Sequence, residues 1–207
     1  MLHTTSTGIG THAAQRARAG ADDDALIGRV AREDRAAFET LYRGYYPRLR
    51  RFIERVTRRP QLVDEVVNDT MFVVWRKAAS YNLKSKVSTW IFAIAFRRAL
   101  KAMQRSDEPA DFDPDACADP GGGGPESRFL EQETRTRIGR ALGALSADHR
   151  AVIELTYFEG YSCAEVAEVM GCPVNTVKTR MFHARRRLRM LLADFGGTAD
   201  ERTDTAI

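Results

Sequence analysis

An uninterrupted basic stretch, Val169–Ala193, limits the possible folds more than any other part of the sequence. It holds six basic residues and no acidic residue. Its apolar residues recur every three or four positions, which is the spacing of one buried helical stripe. They are Val174, Val177, Met181, Ala184, Leu188 and Leu192. The basic residues therefore lie mostly on the opposite side, and the pattern predicts an amphipathic helix whose exposed face can bind a polyanion.

The residues just before this stretch indicate how the helix is positioned. Ser162 and Glu165 have the Ser-x-x-Glu spacing of a capping box, in which both side chains accept hydrogen bonds from backbone N–H groups at a helix start. Gly171 can adopt the left-handed conformation that ends a helix, and Pro173 suits the first turn of the next one. A short helix, a tight turn and a basic helix predict a helix-turn-helix with Val174–Leu192 as the recognition helix.

The leading and outward positions of the predicted recognition helix are candidates for DNA contact. Side chains able to reach base edges in a major groove are Asn175, Thr176, Lys178, Thr179, Phe182 and His183. Arg180 and Arg185 are predicted to hold phosphate, and Arg186 belongs to the same DNA-binding helix. The alternative is a core helix whose arginines form only a solvated face, and the capped helix and Gly-Cys-Pro turn make that interpretation the less favoured one.

The run Tyr161–Arg189 resembles the promoter −35 binding domain of bacterial extracytoplasmic-function sigma factors, group IV of the sigma-70 family. Such factors typically carry Gly-Cys-Pro-x-x-Thr-Val-x-Ser-Arg-x-x-x-Ala-Arg there, and this chain has Thr179 in place of the serine. The resemblance extends over residues 22–193. It implies an all-α protein of two small helical domains, one like sigma region 2 and one like the helix-turn-helix domain of sigma region 4.

Composition and cysteine usage exclude several classes of protein. No apolar run reaches the roughly 18 residues of a membrane span, and the N-terminus lacks an apolar signal core, so we expect a cytoplasmic protein without membrane insertion. Three cysteines without a Cys-x-x-Cys pair argue against a disulfide framework and a zinc site, and no cofactor or metal is expected. We interpret Cys163 and Cys172 as packing residues, with a redox-sensing thiol as the minor alternative.

The N-terminal half predicts a disordered tail and a first helical domain. Residues 1–21 lack apolar periodicity and are expected to be disordered. The first domain spans 22–106, and its opening run of aspartates suits a helix N-terminus. An apolar stripe then continues from Phe38 to Val56. Pro47 falls inside the stripe and predicts a kink or a break.

The stretch 61–79 predicts a helix whose first turns are acidic. Asp64, Glu65 and Asp69 precede or accompany its bulky apolar residues. Taken alone, these carboxylates only compensate the helix dipole. In the sigma-factor resemblance, they dock on the clamp of the largest subunit of RNA polymerase.

One acidic position of that docking motif is missing from this sequence. Leu62 stands where the family usually has the first acid. We hypothesise that a Ser/Thr kinase restores the negative charge by phosphorylating Thr57 or Thr70.

The segment Tyr81–Arg105 combines basic and aromatic residues and contains no acid. This composition suits single-stranded nucleic acid, because phosphates meet cations and exposed bases stack on rings. Core packing is the competing account, which we accept for Trp90 and Ile94. In the resemblance, the preceding loop captures a flipped base of the −10 element. The loop residues assigned to this role as a group are Asn82, Leu83, Lys84, Ser85 and Lys86, and the basic helix adds Arg97, Arg98 and Lys101.

Residues 107–127 predict a linker, because they are acidic and rich in proline and glycine. Two interpretations stay open: a solvated tether, or an extended segment that imitates nucleic acid in a basic polymerase channel. The second domain follows at 128–195, and a flexible tail at 196–207.

The resemblance implies a sigma factor that directs promoter-specific initiation and helps to open the −10 element. Its partners would be core RNA polymerase (the clamp of the largest subunit and the flap of the second-largest), promoter DNA, and an anti-sigma factor or a kinase. The first alternative is an autonomous dimeric helix-turn-helix regulator. An enzyme is the second and is not favoured, because the histidines are dispersed and neither a phosphate-binding glycine loop nor a pair of carboxylates with a matching base is present.

Overall fold

The computed structural model describes residues 22–105, residue 134 and residues 136–194. Within these ranges the chain is helical without any strand, which confirms the predicted all-α fold. No helix in them combines the length and apolar character needed to cross a bilayer. The predicted linker at 107–127 and the tails at 1–21 and 196–207 lie outside the described residues. The helices are α1 (22–30), α2 (Arg35–Thr57), α3 (Val63–Lys77), α4 (Val87–Arg105), α5 (136–143), α6 (Ala147–Ile153), α7 (Cys163–Met170) and α8 (Val174–Asp194).

The long helix α2 runs unbroken through Pro47. It begins at Asp34, whose carboxylate accepts a hydrogen bond from the N–H of Ala37 at 3.1 Å. Of the two outcomes predicted for Pro47, the break is therefore wrong. Proline removes one backbone donor and leaves the carbonyl of Arg43 without its usual partner. Both residues are exposed, so water can satisfy that carbonyl and the helix continues.

The acidic helix α3 follows a short 3₁₀ turn, Pro60–Leu62. Asp64 and Glu65 lie in its first turn, as the sequence predicted. A second 3₁₀ turn, Ala78–Ser80, ends this helix and leads through a loop into α4.

The second half contains one element that the sequence did not predict. Ser146 begins α6 by accepting a hydrogen bond from the N–H of His149, as expected for a cap. The helix then widens into a π-helical turn over Glu154–Phe158. Gly160, at φ 64°, ends it with the left-handed conformation that glycine tolerates.

The two halves of the described chain pack directly against each other. Helix α4 lies against α7, and α2 against α6. Buried apolar residues from both halves form one continuous cluster. At its centre the rings of Phe92 and Tyr161 meet edge to face, with centroids 5.6 Å apart. Three ion pairs also join the two halves: Arg48–Glu159, Arg55–Glu154 and Lys86–Glu165. We call the ring contact and these ion pairs the interdomain interface.

Candidate nucleic-acid interface

The predicted helix-turn-helix is present, with its capping box and its turn. Glu165 accepts a hydrogen bond from the N–H of Ser162 at 2.8 Å, and the Ser162 hydroxyl accepts one from the N–H of Glu165 at 3.3 Å. Helix α7 ends at Gly171 with φ 64° and ψ 38°, a left-handed cap. Helix α8 begins at Val174, directly after this cap. The capping box and the Gly171 cap therefore set how the recognition helix follows α7.

We expect Ser162→Ala to lower the free energy of unfolding by about 1 kcal/mol, because it removes one of the two reciprocal cap bonds. Chemical denaturation followed by circular dichroism measures the change. Ser80→Ala is the control, since Ser80 is an exposed serine whose hydroxyl donates to the Lys77 carbonyl and does not form an N-terminal cap. Equal losses for both variants would contradict the capping role.

Helix α8 divides into a buried stripe and an exposed face. Val177, Met181 and Ala184 are buried against the helices that precede them. Thr176 is partly buried. The exposed candidates, which together we call the recognition face, are Asn175, Lys178, Thr179, Phe182, His183, Arg185 and Arg186. The helix therefore presents polar, aromatic and basic groups together on its solvent side.

Arg180 does not belong to the recognition face. Its guanidinium lies 2.6 Å from Asp148 and also donates to the sulfur of Cys172 at 3.7 Å. It therefore ties α8 to α6 and to the turn, and the geometry does not support the predicted phosphate contact. Close by, partial burial lowers the pKa of His149, and the neighbouring His183 lowers it further.

Tyr157, which was not among the residues predicted from sequence, contacts an arginine of the recognition face. The guanidinium of Arg185 lies over the ring of Tyr157, 5.5 Å from its centroid. Tyr157 comes from the π-helical turn and is 57% exposed. No local pattern marks it, because the contact depends on the widened turn bringing this side chain to α8.

The loop 82–86, which we call the −10 loop, has a defined shape. The carbonyl of Ser85 accepts a hydrogen bond from the hydroxyl of Tyr81. The side chain of Asn82 accepts one from the N–H of Lys84 at 3.2 Å. Leu83 adopts φ 59° and is 68% exposed. The loop thus holds an apolar side chain in solvent, in a backbone conformation that a leucine rarely adopts.

The aromatic residues around this loop form its base. Tyr81 packs on Trp90 with ring centroids 5.1 Å apart, and Trp90 is partly buried against the core. Burial raises the pKa of the Tyr81 hydroxyl to about 12, helped by Asp24 and Asp23. This hydroxyl therefore remains a hydrogen-bond donor to the loop at neutral pH.

The three basic residues of α4 that the sequence assigned to DNA binding differ in their surroundings. Arg97 and Lys101 are exposed. Arg98 lies 3.5 Å from Asp69 of α3. Arg98 was predicted to bind DNA and Asp69 to dock on polymerase, and in the structure the two form an ion pair with each other.

The predicted docking acids lie beside an apolar groove that the sequence did not reveal. Asp64 and Glu65 are exposed, and Asp64 accepts a hydrogen bond from the hydroxyl of Tyr46. The groove between α2 and α3 has a volume of about 470 Å³. We call it the docking groove; it is lined by Arg35, Phe38, Tyr42, Asn68, Met71, Phe72 and Trp75. Phe72 is 59% exposed, and together with Phe38, Tyr42 and Trp75 it gives the groove an aromatic lining.

Thr57 and Thr70, the hypothesised phosphorylation sites, are buried. Both are at most 1% exposed. Their hydroxyls donate to the backbone carbonyls of Ile53 and Val66, at 2.8 and 2.7 Å. A kinase cannot reach either hydroxyl in this arrangement, and a phosphate would place uncompensated charge in the core. The structure therefore argues against phosphorylation at both positions.

Two family models match the chain, and their limits follow the two halves. The model described as Sigma-70 region 2 matches residues 41–108, and the model described as Sigma-70, region 4 matches residues 135–188. The first range includes α3, the −10 loop and α4, and the second includes the helix-turn-helix.

Curated relatives and a solved structure show the same likeness over most of the chain. The ECF RNA polymerase sigma factor SigK of Mycolicibacterium vanbaalenii is 31% identical, over 83% of this chain and 90% of that protein. The ECF RNA polymerase sigma factor RpoE of Cereibacter sphaeroides is 30% identical, over 75% of this chain and 86% of that protein. The sigma factor RpoE of Bartonella quintana, solved in complex with the anti-sigma factor NepR, is 26% identical, with a TM-score of 0.61 over 75% of this chain and 96% of that one.

Proposed function

Because the chain belongs to the extracytoplasmic-function group of the sigma-70 family, and is thus a sigma factor, we propose that its two halves divide promoter recognition between them. The first, residues 22–106, docks on core RNA polymerase and reads the −10 element. The second, residues 128–195, reads the −35 element. Initiation then depends on both units binding one promoter while polymerase holds them.

The observation that carries this proposal is the composition of the recognition face. It presents amide, hydroxyl, aromatic and cationic groups on one solvent-facing side of α8, directly after a capped helix and a tight turn. These are the groups that read base edges and hold phosphates in a major groove. Arg185 and Arg186 supply phosphate contacts, while Arg180 positions the helix through Asp148.

The −10 loop and α4 fit the second DNA contact. Leu83 is held outward at the tip of the loop, and Lys84 beside it is exposed. Arg97 and Lys101 extend the positive charge along α4. Such a surface favours a separated strand over a duplex, because an unstacked base can contact the apolar tip while its phosphates meet cations.

The docking groove and the acids beside it suit a polymerase surface that is both apolar and basic. Phe72 offers an exposed ring, and Asp64 and Glu65 offer exposed negative charge for steering. We assign this surface to the clamp of the largest polymerase subunit. The flap of the second-largest subunit is proposed as the partner of the second half.

Regulation and location follow from the same family membership. Since the RpoE relative of Bartonella quintana was solved with an anti-sigma factor, we propose an anti-sigma protein as the regulatory partner of this chain. The buried hydroxyls of Thr57 and Thr70 disfavour a kinase acting at those positions.

We place the protein in the cytoplasm, where polymerase acts. Sigma factors are not enzymes, and we propose no catalysis for this chain. The alternative function, an autonomous dimeric regulator, is not favoured.

The proposal is tested by transcription with purified core polymerase and a promoter library. We expect added protein to produce transcripts from a defined subset of promoters that share −35 and −10 sequences. Phe72→Ala should weaken binding to core polymerase about tenfold, while binding to duplex promoter DNA stays unchanged. Arg51→Ala is the control, because it shortens an exposed side chain of the same half that does not line the docking groove. Binding to DNA without any promoter-specific transcript would contradict the proposal and favour an autonomous regulator.

A further inference from the structure

Three aromatic residues of α2 recur every four positions and lie in one row beside the docking groove. They are Phe38, Tyr42 and Tyr46, and we call them the aromatic row. Residues with this spacing lie on the same face of a helix, one above the other. The rings of Tyr42 and Tyr46 are stacked, with centroids 5.7 Å apart, and those of Phe38 and Tyr42 are 6.2 Å apart. Each ring therefore restricts the position of the next.

Helix α3 carries a second row with the same spacing. Asp64, Asn68 and Phe72 follow one another at intervals of four residues, and all three are exposed. The hydroxyl of Tyr46 donates to the carboxylate of Asp64 at 3.2 Å. The hydroxyl of Tyr42 donates to the amide oxygen of Asn68 at 3.0 Å. Two hydroxyls of α2 thus hold two polar side chains of α3, in the same register along both helices.

The aromatic row is itself held by packing. Phe38 meets Trp75 of α3 edge to face, with ring centroids 5.1 Å apart. The three rings of the row and Trp75 are partly buried and pack against the hydrophobic core. The hydroxyls therefore extend to the surface from rings whose positions the core restricts, and the side chains that accept their hydrogen bonds are restricted in turn.

The Tyr42 hydroxyl remains a donor at neutral pH. Burial raises its pKa, and the neighbouring Tyr46 and the carboxylate of Asp64 raise it further. Because a neutral hydroxyl here donates its hydrogen to the amide oxygen of Asn68, the amide N–H₂ group of that side chain is left to donate to a binding partner. The asparagine thus presents its donors in a set orientation, next to a carboxylate that is also held.

Such an arrangement favours binding because the side chains are ordered before the partner arrives. An exposed carboxylate or amide usually samples several rotamers, and fixing them on association costs free energy. Leu62 stands where the family usually has the first acid, so docking depends more on the polar groups that remain. Restricting them in the free protein lowers the cost of ordering them on association.

We propose that Tyr46 and Tyr42 are positioning residues for polymerase docking, and that their hydroxyls hold Asp64 and Asn68 in the orientation that the polymerase surface receives. This inference rests on the proposed function, since it takes α3 as the docking helix. The partner surface that fits presents a cation to Asp64 and a hydrogen-bond acceptor to the Asn68 amide, beside an apolar side chain for Phe72.

Removing single hydroxyl groups tests the proposal. Tyr46→Phe keeps the stacked ring, and we expect the affinity of the full-length protein for purified core polymerase to fall about fivefold, because Asp64 is no longer ordered in advance. Tyr42→Phe should weaken binding about threefold in the same way. Biolayer interferometry measures the affinities, and thermal unfolding followed by circular dichroism should change little for either variant.

Tyr45→Phe is the matched control. It removes a hydroxyl from the same helix, but that hydroxyl donates to Asp23 of α1 and its ring is buried. We expect this variant to unfold at a lower temperature and to bind polymerase as the wild type does. The control thus separates loss of stability from loss of affinity.

A double-mutant cycle shows whether the Tyr46 hydroxyl acts through the carboxylate. Asp64→Ala alone should weaken binding to core polymerase about tenfold. In that background, Tyr46→Phe should have no further effect, because the group that it positions is gone. Tyr42→Phe should keep most of its effect there, since its partner is Asn68.

The outcomes separate this inference from the proposed function. If Asp64→Ala weakens binding but Tyr46→Phe and Tyr42→Phe bind as the wild type does, the positioning role is overturned and the docking surface stands. An equal loss from Tyr46→Phe with and without Asp64 also overturns it, and assigns that tyrosine a direct contact with polymerase. If Asp64→Ala, Asn68→Ala and Phe72→Ala all retain wild-type affinity, the proposed docking surface fails together with this inference.

Discussion

Phe92→Ala is expected to lower the free energy of unfolding by about 3–5 kcal/mol. The ring is fully buried, with its centroid 5.2 Å from that of Phe52 and 5.6 Å from that of Tyr161. The guanidinium of Arg48 also lies over it, 5.3 Å from its centroid. Since these neighbours come from both halves, the cavity left by alanine weakens the first domain and the interdomain interface together. Urea denaturation monitored by circular dichroism measures the loss.

The control for this prediction is the same substitution at an exposed site. Phe72→Ala should change stability by no more than about 0.5 kcal/mol, because its ring is mostly in solvent. Phe92→Leu, which keeps most of the buried volume, should cost less than about 1.5 kcal/mol. Equal effects at the two phenylalanines would contradict the burial of Phe92 between the two halves.

Phe182→Ala is expected to weaken binding to the preferred −35 sequence by about 1–3 kcal/mol and to relax discrimination at one base pair. The ring is 62% exposed and packs edge to face on His183, so its loss leaves the fold intact. Arg186→Ala should act differently. It should weaken binding to all sequences about equally and reduce the salt dependence by about one phosphate contact.

Fluorescence anisotropy with a panel of duplexes at several salt concentrations distinguishes the two effects. Arg97→Ala on α4 is the matched control, since it removes an exposed arginine from the surface proposed for the −10 element and should not alter −35 duplex binding. A uniform loss across all duplexes for Phe182→Ala would assign that residue to non-specific contact.

The helix-turn-helix was predictable because its signals are local. Ser162 and Glu165 are three residues apart, and Gly171 ends a helix through its own backbone conformation. Such interactions are complete within one turn of chain, so a sequence pattern contains all the groups involved. The exposed recognition face followed from the buried stripe of the same helix.

The interdomain interface was not predictable for the opposite reason. Lys86 and Glu165 are 79 residues apart, and Arg48 and Glu159 are 111 apart. Each of these side chains fits a solvated helix face or loop equally well when read alone. Arg150 is similar, because its partners are backbone carbonyls, and any residue can supply those.

Three residues were assigned a chemical role from their residue type alone, and their contacts in the structure argue against each role. Thr57 and Thr70 have hydroxyls that a kinase could modify, but both point into the core and bond the preceding turn. Arg180 has the charge for phosphate but is held by Asp148. Helical periodicity predicts the face on which a residue lies. Only the packed structure shows which residues of other helices contact that face.

The π-helical turn at Glu154–Phe158 has a consequence for the length of the chain at that point. A π turn accommodates one residue more than an α turn, and a helix advances about 100° for each residue. Deleting a single residue here would restore regular winding and leave Glu159 and Tyr161 directed toward Arg48 and Phe92, because the wider turn already absorbs the additional residue. The helix can therefore lose one residue at this turn without changing its phase, whereas a deletion in the regular turn before it would rotate both side chains by about 100°.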